Sequence, residues 1–241
     1  MSRVVEHYET LLAERYTWMA GGMDSKLAES HAFFETQGLT PKGNRVAVDL
    51  GSGPGFQSIT LARLGYSVTA VDTSAQLLSE LRAHAVGLDV RTVEDDLLNF
   101  QKHLAKPAEL IVCIGDTLTH LNSKEDMRQL FNATHSSLVP GGRFVITFRD
   151  LSVELKGLDR FIPVRSDEDR IFTCFLEYAP EHVKVHDLVY ERSGGEWSLL
   201  RSSYQKLRLS YDWVREGLEE AGFELLQEKS ERGLVTFVCQ T

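Results

Sequence analysis

Apolar positions in the middle of the chain fall into short runs separated by amphipathic stretches. Runs at 45–50 (RVAVDL), 67–72 (SVTAVD), 88–94 (LDVRTVE), 109–114 (ELIVCI) and 142–149 (GRFVITFR) predict strands. Between them, 55–64, 74–86, 97–104 and 123–137 carry helical spacing. Asp72–Thr73–Ser74 offers an N-cap to the helix AQLLSELRAHA. Pro140–Gly141–Gly142 is expected to close the fourth helix and turn the chain back into a strand. This strand–helix repetition predicts an α/β fold, a mostly parallel sheet with helices on both faces.

Two segments break the repeat. The first forty residues read as helices (VVEHYETLLAERYTWM, then KLAESHAFFETQ) that must pack outside the sheet or over its ligand edge. Residues 152–208 carry IFTCFLEYA, HVKVHDLVYER and WSLLRSSYQKLRL, which alternate as antiparallel strands with turns near Ala179–Pro180 and Ser193–Gly194–Gly195. A helix at 211–221 follows, with Gly222 as its C′ residue, then two strand-like runs, FELLQEK and LVTFVCQ. The expected organisation is a helical cap (1–40), a core (41–151), an inserted antiparallel segment (152–208) and the C-terminal part of the core (209–241).

Composition narrows the class. A hydrophobic share of 42% in 241 residues can fill a substantial core. No apolar run is long enough for a membrane span, and the start, MSRVVEHYETLL, lacks an export signal. Cys113, Cys174 and Cys239 are far apart in apolar runs, as reduced cytoplasmic thiols would be, and no spacing suggests a metal. The net charge of −9 argues against a nucleic-acid partner. The few cations of 152–165 are followed at once by SDEDR and read as solvated surface.

The most specific local signal is VAVDLGSGPGF, 46–56. Glycines at 51, 53 and 55 between an apolar run and a helix form a turn suited to a nucleotide-like cofactor. A dinucleotide turn would place a third glycine where Phe56 stands, and Asp49 would repel a pyrophosphate. Asp49 suits the ammonium of an amino-acid-bearing ligand, reached directly or through water. An acid at Asp72 serves either cofactor.

From residue 45 onward the chain resembles the class I S-adenosylmethionine (SAM)-dependent methyltransferases, most closely in V46-A-V-D-L-G-S-G-P-G-F56. The resemblance implies a Rossmann-like seven-stranded sheet of order 3-2-1-4-5-7-6, with SAM bound and S-adenosylhomocysteine released. Asp72, with Thr73 beside it, resembles the acid that bonds the ribose hydroxyls. V93-E-D-D-L-L-N-F100 resembles the stretch that holds adenine, with that role on Asp96 and Leu97 beside it; the family's usual glycine is Asp95 here. L110-I-V-C-I-G-D-T-L-T-H-L121 resembles the loop under the cofactor, which brings in Cys113 and Gly115.

Acceptor-side residues are expected after the fourth and fifth strands. His120 is the general-base candidate, or a cap or supporting histidine. Asp116 can orient an amine or His120, or cap a turn. Arg149 can bind a substrate carboxylate or pair with Asp150. Tyr8 and Tyr16 share a helix face, and the resemblance implies a cap over SAM with Tyr16 at the methionine moiety or acceptor. Tyr178, Arg201 and Tyr204 on the inserted strands are further acceptor candidates, with strand register open. An insertion at this point resembles small-molecule N-methyltransferases of the glycine type, in which it roofs the acceptor pocket. The expectation is a cytoplasmic monomer or homodimer that methylates nitrogen or oxygen of a small molecule. An NAD(P)-linked oxidoreductase and a non-catalytic SAM-binding regulatory protein are the alternatives.

Overall fold

The computed structural model describes residues 7–241. The first four residues of the predicted leading helix (4–19) include three, 4–6, outside that range. The rest is a π-helical turn (Tyr8–Leu12), a 3-10 turn (Ala13–Arg15) and helix α1 (Tyr16–Ala20). Gly21 and Gly22, both at positive φ, separate α1 from α2 (Met23–Thr36).

Five strands then alternate with helical segments: β1 (Val46–Leu50), α3 (Phe56–Arg63), β2 (Ser67–Asp72), α4 (Ala75–His84), β3 (Val90–Glu94), β4 (Ala108–Cys113), α5 (Lys124–Ser137) and β5 (Leu138–Arg149). The expected helix at 97–104 is a 3-10 segment, Leu97–His103. Serine caps start three of the helices. Ser74, Ser123 and Ser210 accept hydrogen bonds from the amides of Leu77, Asp126 and Trp213, each worth about 1 kcal/mol.

Helix α5 ends at Ser137, before the Pro140–Gly142 turn, and β5 starts at once. The pairing with β4 then jumps from Ala108↔Leu138 to Leu110↔Arg143. Pro140–Gly142 is thus an irregularity inside the strand rather than the end of the helix. A Cβ on Gly142 would lie 2.8 Å from the Val139 carbonyl oxygen, so this fold of the chain requires glycine.

The inserted segment is a four-stranded antiparallel sheet: β6 (Phe161–Ser166), β7 (Arg170–Tyr178), β8 (His182–Ser193) and β9 (Glu196–Leu207). Strand β6 was read from the sequence as solvated surface. All its residues are exposed, but they pair with β7 as a sheet edge. Helix α6 (Tyr211–Glu220) leads to β10 (Glu224–Glu231) and β11 (Leu234–Gln240). Gly222, at φ +94, lets the Phe223 amide turn back to the Leu218 carbonyl.

The main sheet has the order β3-β2-β1-β4-β5-β11-β10, with β11 antiparallel to both neighbours. This is the predicted seven-stranded order. Helices cover both faces, so the central strands bury apolar residues on both sides: Ala47, Val48, Leu110, Ile111 and Val112 are fully buried. The strand carboxyl ends of β1, β2, β3 and β4 open on the edge where the glycine turn lies. No helix of the described residues is long and apolar enough to cross a membrane.

Candidate active site

The three glycines after β1 all have positive φ: 71° at Gly51, 51° at Gly53 and 97° at Gly55. Two of them are also forced by space. A Cβ on Gly51 would lie 2.3 Å from Thr117 Cγ2, and one on Gly55 would lie 1.9 Å from Leu81 Cδ1. Gly55 therefore provides the close helix packing that a dinucleotide turn would assign one residue later, and Phe56 is accommodated. The turn is tied to β2: the Gly51 and Ser52 amides donate to the Val71 carbonyl, and the Gly53 amide donates to Asp72 Oδ2.

Two cavities meet at this turn, sharing Tyr16, Gly51 and Gly53 as a common wall. The first, about 150 Å³, runs along the ends of β2 and β3. Asp72, Thr73, Asp96 and Leu97 line it, as do Tyr8 and His120. Its charged lining is acidic: Asp72, Asp95 and Asp96, with no lysine or arginine among the described lining residues. Val71, Leu77, Leu97 and Leu121 supply apolar walls. Acidic groups and apolar walls fit a nucleoside with free hydroxyls and a cationic centre, whereas a pyrophosphate would find no counter-charge among the described lining residues.

Each acid is already held. Asp72 Oδ1 accepts from the Ser74 amide at 2.8 Å; burial raises its pKa against these bonds. Asp96 Oδ1 accepts from the Leu98 amide at 2.9 Å, so it caps the 3-10 segment while lining the cavity. Asp95 pairs with His103 at 2.7 Å, a hydrogen bond that lowers its pKa.

The second cavity, about 490 Å³, lies between the glycine turn, α2 and the ends of β4, β5 and β11. Gly115, Asp116, Thr147 and Arg149 line it, with Lys26 and Glu29 paired at 2.5 Å on the α2 side. Asp116 Oδ1 accepts from the Arg149 amide at 3.0 Å, and its Oδ2 forms a short ion pair with Lys206 of β9.

The cap closes over the shared wall. Tyr16 stacks on Phe56 with ring centroids 6.2 Å apart, and Tyr8 sits 6.0 Å from Tyr16. Burial and the nearby Asp72 push the Tyr16 pKa up to about 12, so its phenol stays neutral. Arg15 makes a two-pronged contact with Glu191 at 2.7 and 2.8 Å, and Trp18 donates to Asp167. On the core side, Ser74 donates to Glu9 and Thr17 to Glu80.

His120 lines the first cavity but is a poor base. Burial and the Lys206 ammonium push its pKa down to about 3, with Asp116 opposing. Its ring stacks on Tyr204 at 5.3 Å, and Tyr204 in turn packs on His7, whose Nε2 lies 2.9 Å from buried Asp187.

Six of the expected site residues, Tyr204 among them, lie outside both cavity linings. Asp49 is buried and accepts a 2.6 Å hydrogen bond from Ser58; burial pushes its pKa up to about 7. Gly55 packs on Leu81. Cys113 is fully buried in the core, where burial raises its thiol pKa. Tyr178 packs on Arg208, and Arg201 is exposed. Strand alternation explains Arg201: Tyr204 and Lys206 of β9 are on the opposite face from residue 201. Lys206 was missed because its only sequence signal is this parity, which stays hidden until the strand register is known.

The methyltransferase domain family matches residues 47–142. A glycine/sarcosine N-methyltransferase of Aphanothece halophytica is 30% identical over 130 residues, covering 53% of this chain and 48% of that relative, so the match spans about half of the relative's length. Another, of Parasynechococcus marenigrum (strain WH8102), is 25% identical over 227 residues, 92% of this chain and 79% of the relative. A solved SAM-dependent methyltransferase from Clostridium acetobutylicum ATCC 824 superposes with a TM-score of 0.75 at 17% identity, covering 99% of this chain and 97% of that one.

Proposed function

We propose that this chain, which has the class I SAM-dependent methyltransferase fold, moves a methyl group from SAM to a nitrogen of a small-molecule acceptor, with oxygen the second choice. The observation that carries the reading is the acidic first cavity, with no lysine or arginine among its described lining residues, joined through the glycine wall to a second cavity of mixed charge. The relatives' N-methyltransferase names support nitrogen as the acceptor atom.

In this reading Asp72 accepts from the ribose hydroxyls, Asp96 from the adenine amino group, and Leu97 packs on the base. Gly51 and Gly53 let the backbone approach the methionine portion. SAM supplies a methyl group already activated by its sulfonium, so the chain's task is placement and exclusion of water. Tyr8 and Tyr16 cover the wall between the cavities. Arg149 and Asp116 are the polar groups offered to the acceptor, and His120 shapes the cavity as a neutral ring rather than removing a proton.

The test is methyl transfer from labelled SAM to a panel of amino acids, including glycine and sarcosine, amino sugars and phenols, alongside calorimetry with SAM, S-adenosylhomocysteine and NAD. Label in an amine and binding of both adenosyl ligands is the expected result. Binding of NAD alone would reject the cofactor. SAM binding with no acceptor in the panel labelled would leave the regulatory alternative standing in place of an enzyme.

A further inference from the structure

We propose that Lys206 is a positioning residue for the methyl acceptor: from the inserted sheet it fixes the Asp116 carboxylate as the group that receives an N–H of the acceptor amine. The inference deepens the proposed function and rests on it.

The Asp116 carboxylate is gripped from two sides. Lys206 Nζ contacts Oδ2, and the Arg149 amide donates to Oδ1 at 3.0 Å. The Lys206 and Asp116 side chains are only 13% and 18% exposed. An ion pair this far from water recovers little net stability, because desolvation offsets the attraction. What it provides is a fixed orientation.

The two residues divide the work. Asp116 lines the second cavity, and Lys206 lines neither cavity, so the lysine can act on a ligand there only through its partner. A carboxylate has about four acceptor positions. Two are used by Lys206 and the Arg149 amide, which leaves others for a ligand. An amine attacks a methyl group only when neutral, and an N–H bond to a fixed carboxylate constrains where its lone pair points.

Strand β9 connects this grip to the rest of the site. Tyr204 and Lys206 share a face, with Nζ 5.6 Å from the tyrosine ring. The same tyrosine stacks on His120. One strand of the insertion therefore sets two side chains of the main domain, one at each cavity.

The experiment compares K206M, K206Q, K206R, D116N and the K206M/D116N double variant in the full chain. The readouts are kcat and KM for the best acceptor, the SAM Kd, and Tm. K206M and K206Q should raise the acceptor KM about tenfold while the SAM Kd stays within about twofold. K206R should recover most of the loss, and the double variant should be no worse than D116N alone. If K206M does not fold, K206Q keeps the comparison intact. Lysine variants that lower Tm and weaken SAM binding while leaving the acceptor KM unchanged would mark a simple staple and overturn the inference alone. A wild-type chain that methylates no acceptor overturns the proposed function and the inference together.

Discussion

The Gly53 amide donates to Asp72 Oδ2 at 2.8 Å, so the acid that ends β2 holds the turn that follows β1. Its other oxygen holds the Ser74 amide at the start of α4. Asp72 thus shapes the site before any ligand arrives. Asp72→Ala should weaken SAM and S-adenosylhomocysteine binding by about 10- to 100-fold, the scale of a lost charged hydrogen bond. Calorimetry with both ligands checks this, and unchanged affinity would remove the ribose assignment.

Gly55→Ala should cost several kcal/mol of folding stability, because the added methyl meets Leu81 Cδ1 at 1.9 Å and the backbone has φ +97. Gly53→Ala meets nothing nearer than Tyr16 Cε1 at 3.8 Å and keeps only the cost of its positive φ. Urea unfolding should rank Gly55→Ala well below Gly53→Ala. Adding Leu81→Ala should restore part of the Gly55→Ala loss.

Burial pushes the Asp49 pKa up to about 7 in the folded chain, against 3.8 for an ordinary solvated aspartate of the unfolded chain. Between those values the folded chain binds the extra proton, so this residue makes stability fall as pH rises from about 4 to about 7. Asp49→Asn keeps an acceptor for Ser58 and removes the titration. Its Tm should therefore decline less across that window than that of the wild type. Parallel curves would show that the buried carboxyl does not titrate there.

His120, held near pKa 3, is neutral throughout the working range. The kcat profile should show no inflection between pH 5 and 8 that disappears in His120→Asn. An inflection of that kind would restore the general-base role.

Tyr16→Ala should raise the SAM Kd roughly tenfold by uncovering the wall shared by the cavities, whereas Tyr16→Phe should stay within about threefold. Equal losses for the two variants would mean that the hydroxyl, rather than the ring, makes the contact.

The core was legible because its signals are local. An apolar run ending at Asp49, three glycines, and acids at 72 and 96 each sit at a strand end, and strand ends converge in a parallel sheet. Asp96 also caps a 3-10 turn, so its cap and cavity readings are both true of one side chain. The inserted sheet was less legible. Arg201 and Lys206 are both basic residues of β9, and only pairing such as Val185↔Tyr204 fixes which face each takes. Strand β6 escaped notice because a fully exposed edge has no alternation to read. Burial was hidden as well: it turns His120 from an ordinary imidazole into a weak base, and no sequence pattern records that.

The insertion enters and leaves the main domain at one point, where the Leu151 amide donates to the Leu209 carbonyl at 3.1 Å. Its two ends are already neighbours, so a short turn could bridge them at little loop-closure cost. The segment 152–208 is in that sense a cassette. Exchanging it would leave the glycine turn and its acids in place, but would also remove the partners that Arg15, Trp18 and His120 have in the inserted segment. A graft that brings a new acceptor must therefore also carry a face that fits the cap and the His120 ring.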